Sequence, residues 1–279
     1  MMVNETIFAY QEVANAIFQP PNSLLRISPL PLSRALQPAI LSQQMEQCIG
    51  SIIHRHLHDR DAAFATPVEG SYTRSTAVLA GTTAYINAPP YIFHSYATSE
   101  PPSPFTVYKV ARAAIAVPLT SLSFSLGSPP IEFINAGIVG NNNPAEVGLS
   151  EAKNKLHSRV ACLVSLGASL QKIVQIEGPL NRLSLASEII LETCKAVHDR
   201  MCRRDLLMDK EYFWFDVSRG LEDVDIQLWK TSDTASHIAG VTEGYMRDAR
   251  VDGSLDSCAQ SLIGENYIYI VMCDAESEY

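Results

Sequence analysis

The residues of this chain that could do chemistry are concentrated in FINAGIVGNNNPAEVGLSEAKNKL, Phe133 to Leu156, followed closely by RVACLVSLGAS, Arg159 to Ser169. Asn135 ends an apolar strand-like run and opens an Asn-Ala-Gly turn with Ala136 and Gly137; Asn141, Asn142 and Asn143 then lead into Pro144 and a helical pattern. Ligand and catalytic groups of open α/β sheets collect at the carboxyl ends of parallel strands, so a polar side chain at Asn135 is placed to hold a ligand or a reacting group. Backbone needs account for most of the rest. Pro144 suits the first helical position, where its missing N–H would be unpaired anyway. Asn143 then falls at the N-cap and Glu146 at the third helical position, a capping-box arrangement with Asn in place of Ser or Thr. Gly137 and Gly140 supply unusual backbone angles, and Asn141 and Asn142 tolerate the left-handed region. Only Asn135 is left without a structural explanation.

Other reactive groups read as scaffolding. His54, His56 and His58 stand two apart in HRHLHD. On a helix such side chains fan out by about 200° at each step, which suits metal ligation poorly, whereas a strand would align them. The segment reads as a solvated helix end. Six cysteines are scattered, with no CxxC pair and no cysteine-histidine spacing of a zinc site, as expected for reduced thiols in a cytosolic protein. Cys162, inside VACLVSL, is a core residue by position.

The elements that must position Asn135 follow from periodicity. Val3, Ile7, Tyr10, Ala14 and Ile17 predict an opening amphipathic helix, PPNSLLRISPLPLSRALQP a proline-rich loop, and Ile40 to Ile52 a second helix. TAVLAGTTAYI and YIFHSY predict two strands with a turn at NAPP. TVYKVARAAIA, Thr106 to Ala116, predicts a helix stopped by Pro118. IEFI, the helix after Pro144 and VACLVSL then read as a βαβ unit with a parallel strand pair, which makes the class α/β. Leu183 to Met208 predicts a long helix, YFWFDV a strand closed by Gly220, and mostly helix after that. No repeat or low-complexity linker divides the chain, so one domain is expected.

Composition narrows the function further. The 279 residues are 47% apolar, enough for a sizeable core, and the net charge of -9 offers no basic surface for nucleic acid. The N-terminus lacks the basic start and apolar run of a secretory signal. Two uncharged windows, Ser75 to Phe93 and Ala113 to Ile131, are broken by prolines and hydroxyl residues and do not read as membrane spans.

IEFINAGIVGNNNPAEVGLSEA followed by VACLVSLGAS resembles the second catalytic block of the patatin-like phospholipases, particularly their fungal branch. That block has an Asp-Gly-Gly or Asp-Ala-Gly turn, an Asn-Asn-Pro helix start with Glu-Ala beyond it, and a strand ending in Ser-Ile-Gly. VYKVARAAIAVPL is similar to the family's Ala-Arg-Ala-Thr-Ser-Ala-Ala-Pro helix through Ala111, Arg112, Ala113, Ala116 and Pro118; STAVLAGTTAYINAPPYIFHSY and YFWFDVSRGLEDVDIQLWK resemble flanking segments. The resemblance runs from about Val3 to Leu262 and leaves 263–279 as an unassigned tail. It implies a single three-layer α/β/α domain with a mixed, mostly parallel central sheet. It also implies acyl-ester hydrolysis by a Ser-Asp dyad, a membrane lipid or fatty-acyl ester as substrate, and no cofactor or metal.

This sequence departs from that pattern where the chemistry lies. None of its glycines opens a Gly-x-Ser-x-Gly elbow; the nearest match, Gly240 to Gly244, has Thr242 in the middle and lies in a helical stretch. The opening helix resembles the segment just after the elbow, so the first strand, the elbow strand and the glycine-rich oxyanion loop of the family are absent from the expected fold. Asn135 occupies the dyad aspartate's position, and a carboxamide keeps the shape while losing charge and basicity. In a serine protease triad, Asp to Asn lowers turnover about ten-thousandfold with the geometry intact. The expectation is a degenerate hydrolase domain, inactive alone. The alternatives are a non-catalytic lipid-binding or interaction module, or a fragment whose upstream coding sequence supplies the serine. Uncovered strand edges predict poor solubility or a protein partner completing the sheet. The expected location is cytoplasmic, with peripheral membrane association. Arg112 is expected to be a packing or ion-pair residue rather than a headgroup ligand.

Overall fold

Hairpins decide the architecture of the first half of the chain. β1 (Ala77–Thr82) and β2 (Tyr91–His94) pair antiparallel, with Ala80 opposite Tyr91. β3 (Phe124–Leu126) and β4 (Ile131–Asn135) are joined by a tight turn in which Gly127 takes φ +89°, a left-handed angle that glycine adopts without a Cβ penalty. β4 also pairs antiparallel with β1, closing a four-stranded sheet of order β2-β1-β4-β3. The structure, a computed structural model, describes residues 5, 8–9, 11–12, 31–65, 75–84, 88–97, 103–116, 124–154, 160–167, 193–203, 212–217, 219–221, 232–263 and 268–273.

The chain forms two compact units, Met1–Asn135 and Ala136–Tyr279. In the first, α1 (Pro31–Leu57) begins inside the stretch expected to be a loop. Pro31 is tolerated as a helix start and the Leu, Arg, Ala and Gln that follow are good helix formers; Pro38 lies inside the helix, where its missing N–H removes one backbone hydrogen bond without ending the element. The described residues between 5 and 12 are helical, and the rest of the expected opening helix lies outside the described residues. α2 (Val107–Ala114) starts at Thr106, whose hydroxyl accepts from the Lys109 N–H. Its Val110 and Ala113 pack with Ala80, Phe93, Leu126 and Phe133 into one core, where the Phe93 and Phe133 rings lie 5.3 Å apart. Arg112 belongs to this packing. It is buried, a guanidinium nitrogen meets Met45 Sδ at 3.3 Å, and its charge lies 5.2 Å from the Phe124 ring centroid.

The second unit holds α3 (Ala145–Asn154), β5 (Val160–Leu166), a helix over 193–203 (α4), β6 (Tyr212–Phe215), α5 (Ser232–Met246), α6 (Ala249–Leu262) and β7 (Ile268–Cys273). The three strands form a parallel sheet of order β6-β5-β7. β5 is covered on both faces: Val160 and Leu163 pack with α3 and α4, while Cys162 and Val164 pack with Phe213 and Cys258. A register irregularity between Val160 and Cys162 lets Val160 share a face with Leu163 despite the odd spacing. Burial on both faces explains why VACLVSL is an almost unbroken apolar run.

Helices and strands are thus mixed as the α/β class requires, but the βαβ unit expected across the Asn-rich stretch does not form. Ile131–Asn135 belongs to the antiparallel sheet, because the tight turn after β3 fixes β4 as a hairpin strand. The parallel neighbours of Val160–Leu166 are instead β6 and β7. β7 falls in the tail that the sequence reading left unassigned.

Candidate functional site at the carboxyl edge of the parallel sheet

Three parallel strands end together near Leu166, Phe215 and Cys273, the kind of edge at which ligand-holding groups of open α/β sheets collect. The Asn-rich stretch arrives beside the end of β5. Ala136–Val139 forms a single 3₁₀ turn, and the Asn141 N–H donates to the Ala136 carbonyl at 2.9 Å. Gly140 takes φ +85°, and its N–H reaches the Gly137 carbonyl at 3.1 Å. The turn places Asn142 so that its Nδ2 donates to Cys194 Sγ on α4 at 3.1 Å.

The side chain of Asn143 caps the helix start as the spacing predicts, but from one position further out, because α3 begins at Ala145 and not at Pro144. The Asn143 Oδ1 accepts from the Ala145 N–H at 3.1 Å, and the Pro144 carbonyl accepts the Gly148 N–H at 2.9 Å as the helix begins. The same Oδ1 accepts a longer bond, 3.4 Å, from the hydroxyl of fully buried Ser165 near the end of β5. One amide oxygen therefore ties the start of α3 to the end of the strand. Two adjacent polar atoms, Asn142 Oδ1 and Asn143 Nδ2, are buried with no hydrogen-bond partner among the described residues. Glu146, expected to close the capping box, accepts from Arg200 Nε at 3.0 Å and Nη2 at 2.8 Å. It pins α3 to α4.

Asp216 follows β6 and is 8% exposed. Its N–H donates to the Tyr245 hydroxyl at 3.2 Å, and burial pushes the Tyr245 phenol above its ordinary pKa. The Asp216 side chain lies against Gly167: a Cβ on that glycine would stand 2.6 Å from Asp216 Cγ and 2.8 Å from its Cβ. Glycine is needed here because the carboxyl side chain occupies the space.

Ser165, Gly167, Cys194, Asp216 and Tyr245 were not singled out in the sequence as groups that could act. The signal was there, in a polar residue breaking each apolar strand near its carboxyl end: Ser165 in VACLVSLG and Asp216 in YFWFDV. As chemistry the arrangement offers donors and acceptors. The Ser165 hydroxyl bonds to an amide oxygen, which accepts a hydrogen bond but does not remove the proton, so this pair is not an activated nucleophile.

Asn135 is placed differently. It is the last residue of the first unit, 5% exposed, opposite Ala80 in the antiparallel sheet, with its N–H donating to the Ala116 carbonyl at 2.7 Å. The expectation that it ends a strand of a parallel unit is corrected accordingly. Ala136, Gly137, Asn142, Asn143 and Pro144 all lie in the second unit. Thr242 lies inside α5, not on a strand-to-helix elbow. His54 and His56 lie in the last turn of α1, and among the described residues no three His, Cys, Asp or Glu side chains gather as a metal site. No helix among the described residues is long and apolar enough to cross a membrane. The sequence matches no protein-family model, no curated protein and no solved structure.

Proposed function

We propose that this chain is a degenerate member of the patatin-like acyl hydrolases that has lost ester hydrolysis and retains a lipid or fatty-acyl ester as its ligand class. The observation that carries the reading is the carboxamide of Asn135, buried at the end of β4 and immediately followed by the Ala136–Gly137 turn, where the resembling motif has its aspartate. Supporting it are the capped Asn142-Asn143-Pro144 helix start and the strand that ends in Ser165-Leu166-Gly167, in the family's order. Of that family's three-layer, mostly parallel domain, the second unit's parallel sheet with β5 packed on both faces is the part that supports the proposal, while the first unit's sheet is antiparallel. A peripheral location at the cytoplasmic face of a membrane belongs to the same proposal.

The test is direct. The purified chain is offered p-nitrophenyl butyrate, phosphatidylcholine vesicles and a fluorophosphonate probe. No labelling and no turnover above buffer are expected. Stoichiometric serine labelling with turnover would refute the loss of activity. Co-sedimentation with the same vesicles supports the ligand class, and a chain that stays wholly in the supernatant would remove it.

A further inference from the structure

Away from the site above, α4 presents His198 and Cys202 four residues apart, hence on one helix face. Cys202 is exposed, with Sγ 3.6 Å from His198 Nε2 and 3.9 Å from Nδ1. The imidazole is held from two directions. It lies against the Trp214 indole, centroids 3.9 Å apart, and its Nδ1 is 3.4 Å from the Tyr212 hydroxyl. In the tautomer that carries its proton on Nδ1, the Tyr212 oxygen accepts and the Nε2 lone pair is free, the arrangement found behind metal-bound histidines; in the other tautomer the hydroxyl donates to Nδ1.

We propose that His198 and Cys202 form a two-point clamp for a soft, low-coordinate metal ion of the copper(I) class. With bonds of about 2.0 Å to nitrogen and about 2.3 Å to sulfur, one ion spans the present separation at an angle of about 114°; a linear ion widens it to about 4.3 Å. Sulfur nearly equidistant from both ring nitrogens stands over the ring rather than on the in-plane lone pair. Capture therefore requires a side-chain rotation, which the exposed thiol is free to make. Thiolate and imidazole together select soft ions, and two protein ligands fall short of the four that zinc takes in structural sites. Binding forms the S–Cu and N–Cu bonds, releases the thiol proton to solvent and moves no electron.

The full chain is titrated anaerobically with copper(I) against a chromophoric chelator while tryptophan fluorescence is followed, since the indole of Trp214 lies tilted against the proposed ligand with ring centroids 3.9 Å apart. Stoichiometric quenching is expected, lost in Cys202→Ser. Tyr212→Phe leaves both ligands but removes the oxygen at Nδ1, and weakens binding about tenfold. Copper(I) that binds Cys202→Ser with undiminished affinity and quenching would overturn the clamp, as would wild-type binding without quenching, which would place the ion on other cysteines. Tighter binding of zinc(II) than of copper(I) at the same site would overturn its low-coordinate character.

Discussion

Replacing Asn143 by alanine probes the joint on which the candidate site is built. The amide oxygen accepts from the Ala145 N–H at 3.1 Å and from the Ser165 hydroxyl at 3.4 Å, in a residue only 2% exposed. Loss of an N-cap costs about 1 kcal/mol. Leaving the buried Ser165 hydroxyl without its acceptor adds about 1 to 2 kcal/mol, and removing the unpartnered Nδ2 returns about 1 kcal/mol. The net expectation is a destabilisation of about 1 to 2 kcal/mol, or roughly 2 to 8 °C in the melting temperature of a unit this size. Both tryptophans, Trp214 and Trp229, lie in the second unit, so fluorescence-detected unfolding of the full chain reports on it. Asn143→Ser retains a capping oxygen and is expected to recover about half of the loss. A cycle with Ser165→Ala is expected to give a coupling of about 0.5 to 1 kcal/mol. An Asn143→Ala protein within about 0.3 kcal/mol of wild type, or additive behaviour with Ser165→Ala, would refute the joint.

Other perturbations follow the same logic. Gly167→Ala drives a methyl into the Asp216 side chain and is expected to cost about 1 to 3 kcal/mol in tryptophan-detected melts; combining it with Asp216→Ala should recover part of that, and a neutral single variant would show that the loop yields freely. Arg112→Ala removes a buried side chain from the first unit and is expected to cost about 3 kcal/mol by far-UV circular dichroism, with lysine an incomplete substitute because it lacks the planar fork. Burial depresses the pKa of His198, so the unfolded chain takes up its proton first as pH falls: stability is complete above about 6.5 and declines below it. His198→Gln should flatten that part of the profile, and an unchanged slope would exclude His198 as its source.

What the sequence disclosed was local. The capping side chain of Asn143, the helix start to within one residue of Pro144, the strand ending at Asn135 and the helix of Arg112 could be read because each depends on residues a few positions apart. Strand partners were misread because pairing is a contest among distant segments. The run IEFI fits a hairpin with FSL as well as a parallel pair with VACLVSL, and Gly127 at positive φ favours the hairpin. The site at the sheet edge was hidden for the same reason: Ser165 and Asn143 are 22 residues apart, and Asp216 joins only once β6 pairs with β5. β7 went unread although Gly264 and Asn266 bound the apolar run IYIVMC as a turn would, because its place in the sheet depends on pairing with a strand about a hundred residues earlier. The His198–Cys202 spacing was visible in HDRMC, but its meaning depends on the Tyr212 and Trp214 of another strand.

The proposed loss of catalysis turns on the amide at position 135, and Asn135→Asp separates two histories of that position. The side chain is 5% exposed, so an ionised carboxylate there is desolvated and its pKa rises. The penalty at pH 7 is bounded by the work of protonating a carboxyl of ordinary pKa about 3.9, which is about 4 kcal/mol. A folded-state pKa raised above the unfolded value leaves stability intact below about pH 4 and removes it as pH rises through the folded value. The variant should therefore match wild type near pH 4, melt lower at pH 7, and show no ester turnover, since the sequence holds no Gly-x-Ser-x-Gly motif. Equal stability at both pH values would mean that surrounding donors compensate a charge at this position. The amide would then sit in a pocket still built for an acid, and the strand end at Asn135 would have to be treated as a preorganised anion site rather than as sheet packing.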